Sequence, residues 1–495
     1  MSQTGASASP PDLNPANDDR PIATGGAWDP PGFSWALFEW ARNPYYIMIV
    51  IYIFAPYFAE HVIAAEYLET GQAATPEEAN ARGQAAIASV TKWAGFCAGL
   101  TAPFLGAALD RGGRRKPILA VVLGVLALMS YLLWWAKPAG EGFSASQAMT
   151  ILVIAYVCYA YSEVIHNAML GDSARASALP AVSGNGLAFG NLAGLLIFIA
   201  LVVMFALPGV IAFPLLPEEP LFGIDRSAQE HFRIVGPICA IWMLLFMPPF
   251  FRYVPDRGRK GADWVQAARE GALSLWRTFK RAREYRDVIT YLGARMLYAD
   301  GMAALLALGA TYVALFLGWS FLEMIVYAIY ASAFAFLGGF VGAALDTRFG
   351  SKRALIIEVV GLLIVLAAML SVSRDAIFFG LIQGGTVWNG PIFQTVSDLT
   401  YLSVVALLAI FATASISSSR SMLVAMAPAH MRGEFFGLYA IAGTITVWMG
   451  PLLVELFTTW FKSQRVGMSA ISLLFLAGLI VLLRVKHNGY ARDEA

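Results

Sequence analysis

The sequence predicts an all-α integral membrane protein with twelve membrane-spanning helices in two six-helix bundles. Of the 495 residues, 58% are hydrophobic and only 14% are charged, and the mean hydropathy is +0.63. A soluble protein of this length does not usually contain so many apolar residues. Apolar runs long enough to span a membrane recur along the chain. One short motif also occurs twice in corresponding places, which indicates a duplicated unit.

The repeated motif is Gly-Ala-Ala-Leu-Asp, at 106–110 and again at 342–346. Its small residues let helices approach closely, and its acid suits the positive N-terminus of a neighbouring helix. The bases that follow each copy hold the loop on the cytoplasmic side. We therefore expect a gating role for residues of both copies, namely Asp110, Arg111, Arg114, Arg115, Asp346 and Arg348.

Residues 1–32 are rich in Ser, Ala, Pro, Asn and Asp. They contain no basic segment followed by an apolar core, so we interpret them as a disordered cytoplasmic tail rather than a signal peptide. The N-terminal bundle, 33–251, follows. Its six predicted spans are about 33–58, a second that ends at the first motif, 117–136, 148–172, one from about 183, and 234–251. The loop after the first span, through about Arg82, is mostly acidic.

A basic linker, 252–286, joins the bundles, with ten Lys or Arg against four acids. An apolar stripe at helical spacing over 263–283 predicts an amphipathic helix on the anionic cytoplasmic leaflet. A solvated linker helix is the alternative.

The C-terminal bundle, 287–483, contains the predicted spans 287–317, 321–345, 354–372, 401–426, 435–457 and 467–483, before a tail at 484–495. The stretch 376–393 is rich in glycine and is expected to be an extracytoplasmic or re-entrant segment. If it crossed the membrane, there would be thirteen spans. The distribution of Lys and Arg instead favours twelve, with both termini cytoplasmic in the inner (plasma) membrane.

Several motifs resemble the major facilitator superfamily, and in particular a branch of unknown major facilitators related to autophagy-linked vacuole effluxers. The first motif resembles the loop between the second and third helices of the superfamily. The resemblance to the branch is carried by Glu39-Trp40, Tyr298-Ala-Asp300-Gly301, Ser418-Ser419-Arg420-Ser421, Gly433-Glu434-Phe435-Phe436-Gly437 and Gly450-Pro451-Leu452. Glu39 stands where the branch typically has an aspartate. The resemblance implies the major facilitator fold, alternating access and, in the vacuolar relatives, amino-acid efflux.

Ionisable groups inside the predicted spans are costly and usually have a partner or a task. Asp300 lies near the middle of its span and is the first candidate for a proton or cation site, with a structural ion pair to Arg295 or another buried base as the alternative. Glu163 and His166 share a helix face and can relay a proton, unless they form a structural pair.

Other polar and aromatic side chains are candidates for a substrate cavity or a gate. Lys92 can attract an acidic group of a solute, pair with an acid, or extend its amine out of the membrane. The cavity candidates are Lys92, Trp93, Tyr45, Tyr46, Asn167, Asn191 and Tyr298. The remaining candidates for pairs that close the cytoplasmic side are Glu39, Arg42, Arg295, Arg420 and Glu434.

These observations predict a secondary transporter that moves a small organic solute, such as an amino acid, by alternating access coupled to a proton or another cation. Its expected partners are the solute, the cation and the lipid bilayer. We expect no cofactor, metal or nucleic acid, because no such motif is present. A membrane enzyme using His166 and Asp172, or a sensor or scaffold without transport, are the alternatives.

Overall fold

The computed structural model describes residues 25–111, 114–138, 142–175, 178–208, 219–256, 280, 285–426, 435, 438–439, 442–443 and 445–486. Apart from one hairpin, the regular structure within these ranges is helical. The expected amphipathic segment at 263–283 lies outside the described residues, except for position 280.

The first helical rod is much longer than the sequence predicts. It begins with α1, Pro30–Tyr45, and continues through Tyr46–Tyr52, Phe54–Tyr57, Phe58–Ala64 and Ala65–Glu69. Pro44 lies inside α1 and has no N–H to donate to the carbonyl of Trp40. Trp242 Nε1 donates to that carbonyl instead, at 2.9 Å, and a wider π-type turn follows at Tyr46–Tyr52. The expected acidic loop through Arg82 is therefore wrong for most of its length, because helix resumes at Pro76.

The rest of the N-terminal half is α2, Pro76–Arg111; α3, Lys116–Leu132; α4, Ala145–Ala168; α5, Leu179–Leu201; and α6, Val235–Phe246. Short helical pieces are Leu133–Trp135, Leu170–Ser173, Val202–Ala206, Leu221–Gly223, Glu230–Arg233 and Pro248–Tyr253. α1 packs on α5 and α6, and α4 packs on α2 and α3. A Cβ at Gly190 of α5 would lie 3.1 Å from Asn43 of α1, so this glycine permits the close approach of the two helices.

The C-terminal half is α7, Arg286–Leu317; α8, Phe321–Phe349; α9, Ser351–Ser371; α10, Val396–Met426; α11, Met449–Phe461; and α12, Ile471–Leu483, which follows the short helix Gln464–Ser469. α8 and α9 pack on α10, and α7 packs on α12. α8 starts at a reciprocal cap between Ser320 and Glu323. Gly350, whose φ is +79°, caps the C-terminal end of α8. The second copy of the motif, 342–346, therefore lies inside α8, which continues beyond the predicted end of the span at 345.

The glycine-rich stretch between α9 and α10 is a small β-hairpin. β1, Ala376–Ile377, pairs antiparallel with β2, Ile382–Gln383, across the turn Phe378–Gly380. The backbone N–H of Phe393 donates to Glu323 Oε1 at 2.9 Å, which ties the stretch to the start of α8. The hairpin does not form an additional span.

Ten helical segments among the described residues are long and apolar enough to cross a membrane. They correspond to ten of the predicted spans. α2, with 36 residues, and α11 lie where the second and eleventh spans are predicted.

The connectivity gives the molecule two ends. At the terminal end, the backbone N–H of Arg175 donates to Gly25 O at 2.9 Å, and Lys352 Nζ donates to Val485 O at 2.6 Å. At the opposite, far end lie the link from Glu69 to Pro76, the hairpin and the start of α8.

Candidate functional site

Polar side chains join the two halves at the far end. Asn80 Nδ2 on α2 donates to the backbone carbonyl of Leu315 at 2.9 Å. Buried Gln84 donates to Thr458 Oγ1 at 3.0 Å and to the carbonyl of Gln464 at 3.1 Å. We call this set the far-end lock; it also includes two ion pairs, Lys92 with Glu455 and Glu78 with Lys462.

The two ion pairs of the far-end lock differ in exposure. Lys92 Nζ lies 2.6 Å from Glu455 Oε2, and their side chains are 15% and 22% exposed. Lys462 Nζ lies 2.8 Å from Glu78 Oε1, but the lysine side chain is 60% exposed. The first pair is therefore less screened by solvent than the second. Of the three roles considered for Lys92, the structure shows the ion pair with an acid, Glu455.

Aromatic rings extend the far-end contact between the halves. Tyr52 meets Tyr327 with ring centroids 5.3 Å apart, and Phe232 meets Phe321 at 5.0 Å. A cavity of about 490 Å³ lies beside the second pair and is lined by residues of both halves, including Glu60.

Charged side chains of α1 and α4 form one cluster inside the N-terminal half. Arg42, only 3% exposed, donates through Nη2 to both oxygens of Glu39, at 2.8 and 2.9 Å. Its Nη1 lies 3.7 Å from Glu163 Oε2, whose side chain is 52% exposed. His166 Nδ1 lies 3.3 Å from Glu39 Oε1. We call Glu39, Arg42, Glu163 and His166 the α1–α4 charge cluster.

His166 is fully buried and held between two aromatic faces. The ring of Trp35 stacks on it at 4.0 Å and that of Phe38 at 4.1 Å. His166 Nε2 lies 2.9 Å from the backbone carbonyl of Trp35. Among the described residues, His166 forms an ion pair with Glu39 on α1. It forms none with Glu163, which lies on the same helix as His166.

Asp300 is buried at 4% exposure near the middle of α7. Its Oδ2 accepts from the backbone N–H of Gly450 at 3.2 Å, and its Oδ1 has no hydrogen-bond partner among the described residues. Arg295 lies against Tyr439 instead: it donates to the carbonyl at 2.8 Å and sits 3.4 Å from the ring centroid. Asp300 is therefore held by a neutral donor.

A second buried acid of the C-terminal half, Glu358 on α9, does not appear among the sequence-based candidates. Its side chain is fully buried, and its Oε1 accepts from Ser418 Oγ at 2.8 Å. Its Oε2 has no hydrogen-bond partner among the described residues. The signal was present in the sequence, because Glu358 is the single charge within the apolar run 354–372.

The predicted cavity residues do not form one group. Tyr45 is buried and Tyr46 half-buried, and both stack on Tyr159, at 5.5 and 5.2 Å. Tyr298 is buried and shares a 2.6 Å hydrogen bond with Ser419. The remaining three, Trp93, Asn167 and Asn191, are exposed.

The predicted gating residues of the first motif are described only in part. Arg115 Nη1 donates to Asp172 Oδ2 at 3.1 Å and to the carbonyl of Ala168 at 2.8 Å, within the N-terminal half. Arg114 is exposed. The side chains of Asp110 and Arg111 lie outside the described part of the chain.

The predicted gating residues of the C-terminal half also differ in their settings. Asp346 is half-buried, and its Oδ1 has no hydrogen-bond partner among the described residues. Arg348 and Arg420 are exposed. Glu434 lies outside the described ranges.

Residues 171–495 match a family model described as "Vacuole effluxer Atg22 like". The uncharacterized MFS-type transporter YxiO of Bacillus subtilis (strain 168) is 24% identical over 459 residues, which cover 91% of this chain and 93% of the relative. Autophagy-related protein 22 of Coccidioides immitis (strain RS) is 24% identical over 329 residues, covering 63% of this chain and 49% of the relative.

Solved structures of transporters share the architecture. A variant of the nucleoside transporter NupG superposes with a TM-score of 0.57 at 11% identity, covering 92% of this chain and 98% of that one. The inward-open xylose transporter XylE from E. coli superposes with a TM-score of 0.56 at 12% identity, covering 94% and 97%. At these identities the likeness establishes the fold alone.

Proposed function

The chain belongs to the family of Atg22-like vacuole effluxers and is a multi-pass integral membrane protein with the major facilitator fold. From this premise we propose that it is a secondary active transporter that moves a small organic solute by alternating access. Its two halves, 33–251 and 287–483, rock about a site between them, and the segment 252–286 links them.

The far-end lock is the observation that carries this proposal. An alternating-access transporter closes one end of its pathway at a time, so each closed end needs contacts that form and break in every cycle. Hydrogen bonds from Asn80 and Gln84 and the Lys92–Glu455 ion pair are of this kind. They are polar, join the two halves, and can be exchanged for water when the far end opens.

Coupling to a proton or another cation is supported by the acids buried inside the membrane. Asp300 lies at mid-depth in α7 with one oxygen unpartnered, which leaves it able to take up a cation. Movement of the proton or cation down its gradient supplies the energy that concentrates the solute.

The solute of this proposal is an amino acid or a similar small metabolite, and its direction is efflux. Support for the direction comes from the family description, which names an effluxer. The bases at the terminal end, such as Arg114 and Arg348, favour a cytoplasmic position for that end and for both termini, and the membrane of this proposal is the inner (plasma) membrane.

The test is a reversible cross-link across the far-end lock. In a variant without the three native cysteines, Lys92→Cys and Glu455→Cys are joined by a bifunctional methanethiosulfonate. The protein is then assayed in proteoliposomes for exchange of a mixture of radiolabelled amino acids. Cross-linking should reduce exchange to the level of empty liposomes, and a reductant should restore it.

The matched control places the same linker within one half at the same end, with Ser144→Cys and Gln147→Cys, whose native side chains are 3.1 Å apart. This link should leave exchange unchanged. Equal exchange before and after cross-linking at 92 and 455 would rule out alternating access. Absence of exchange in every sample would favour a sensor or scaffold.

A further inference from the structure

The Glu39–His166 contact constrains where protons reside in the α1–α4 charge cluster. His166 Nε2 lies 2.9 Å from the backbone carbonyl of Trp35. A carbonyl oxygen only accepts hydrogen bonds, so Nε2 must carry a hydrogen and donate it. In a neutral imidazole, Nδ1 would then hold a lone pair.

That lone pair would face another acceptor. Nδ1 lies 3.3 Å from Glu39 Oε1 and forms no hydrogen bond with any of the described residues. An ionised carboxylate offers acceptors only, so a neutral histidine beside an ionised Glu39 would set two acceptors against each other. One additional proton, on Nδ1 or on Glu39, converts the contact into a donor–acceptor pair.

The charges around the Glu39–His166 pair also favour one additional proton. α1 contributes Glu39 and Arg42, and α4 contributes Glu163 and the phenol of Tyr159, which lies 4.4 Å from the guanidinium. α5 has no titratable residue over Leu179–Leu201 and presents Gly186 to Glu39. The cluster thus has two carboxylates against one guanidinium.

A bound proton makes this set neutral, which a membrane interior favours over a net negative charge. The surrounding rings favour the same state. Trp35 and Phe38 present their faces to both sides of the imidazole, and Phe250 of Pro248–Tyr253 lies 5.7 Å away. Aromatic faces stabilise a cation placed over them.

We propose that the Glu39–His166 pair binds one proton and is a coupling site separate from Asp300. The bound proton ties α1 to α4, and its loss sets Nδ1 against the Glu39 carboxylate and weakens that tie. Protons reach the pair along the partly exposed edge of Glu39, 19% exposed, beside the half-exposed Glu163. The coupling role rests on the proposed transport function, whereas the bound proton does not.

The test measures the proton directly, on purified full-length protein in lipid nanodiscs, without solute or gradient. Nitrogen NMR of labelled histidine rings reports which ring nitrogens carry hydrogen, and His166→Gln identifies the signal among the five histidines. Infrared spectra report a protonated carboxyl group. Near neutral pH, wild type should show either a doubly protonated His166 ring or a protonated carboxyl that disappears in Glu39→Gln.

Three variants at the cluster separate proton binding from a structural role. In Glu39→Gln the amide donates to Nδ1 and the cluster is neutral without a proton, so His166 should be a neutral ring over the whole titration. Glu39→Asp should retain the proton. Glu163→Gln removes one negative charge and should weaken proton binding about tenfold.

A wild-type spectrum with one protonated ring nitrogen and an ionised Glu39 near neutral pH would overturn the proposal, as would identical titrations of wild type and Glu39→Gln. Because no transport is measured, such a result would leave the cross-linking test of transport unaffected. Conversely, a bound proton in a protein without exchange activity would count against amino-acid transport and keep the proton site.

Discussion

The two halves stabilise their membrane-buried acids by different means. In the N-terminal half, Glu39 lies among charged and titratable partners, Arg42 and His166. In the C-terminal half, Asp300 accepts from a backbone N–H and Glu358 from a serine hydroxyl. Among the described residues, no Lys or Arg lies within ion-pair distance of either C-terminal acid.

This difference bears on how each acid can work. An ion pair compensates the charge of Glu39, so removal of one partner leaves an uncompensated charge in the membrane. Neutral donors compensate the charges of Asp300 and Glu358 only in part. The N-terminal cluster therefore ties α1 to α4 only while its charges are compensated, whereas the contacts of Asp300 leave one of its oxygens unpartnered among the described residues.

The largest effect is expected at Asp300. Asp300→Asn keeps the shape of the protonated acid but cannot release a proton. Gradient-driven accumulation of radiolabelled solute in proteoliposomes should therefore fall to background, whereas exchange without a gradient should persist. Asp225→Asn, in an exposed loop, is the control and should accumulate solute normally. If Asp300→Asn concentrates solute like wild type, Asp300 is structural.

Removal of the guanidinium tests the N-terminal half of the comparison. Arg42→Met leaves Glu39 and Glu163 without their cation and should destabilise the protein by about 3–5 kcal/mol. The measurement is unfolding in mixed micelles with increasing SDS. The double variant Arg42→Met/Glu39→Gln should recover part of this loss, and exposed Arg114→Met should change little. A loss in Arg42→Met no larger than in Arg114→Met would contradict the expectation.

A smaller loss is expected at the neutral donor of Glu358. Ser418→Ala removes the hydroxyl that donates to Oε1 and should cost about 1–3 kcal/mol in the same unfolding assay. Ser403→Ala on the same helix, exposed and bonded to its own backbone, should stay near wild type. Equal stabilities of the two variants would mean that Glu358 does not depend on this donor.

The smallest effect is expected at the far-end lock. Lys92→Met should favour opening of the far end by about 0.2–1 kcal/mol, because the ion pair is partly exposed. Thiol labelling of a cysteine replacing buried Gln464 should accordingly become up to about fivefold faster. Lys462→Met, from the more exposed pair, should label more slowly than Lys92→Met. The opposite order would show that exposure does not rank these two pairs.

The spans were predictable because they follow from a local property of the chain. Residues that cross a membrane must be apolar over a fixed length, so α7 was predicted to within one residue at its start and correctly at its end. The depth of Asp300 in the membrane follows from its position along this predicted span. The far end of the first helical rod was not predictable in this way, because wider π-type turns after Pro44 continue the rod to Glu69.

The partners of the charged side chains depend on contacts between distant parts of the chain. Spacing along one helix suggested Glu163 as the partner of His166 and Arg295 as the partner of Asp300. Packing instead brought Glu39 of α1 to His166 and Gly450 of α11 to Asp300. Hydropathy along the sequence reports which residues leave water. The rotation and depth at which two helices meet follow from side-chain packing, which joins residues more than a hundred positions apart.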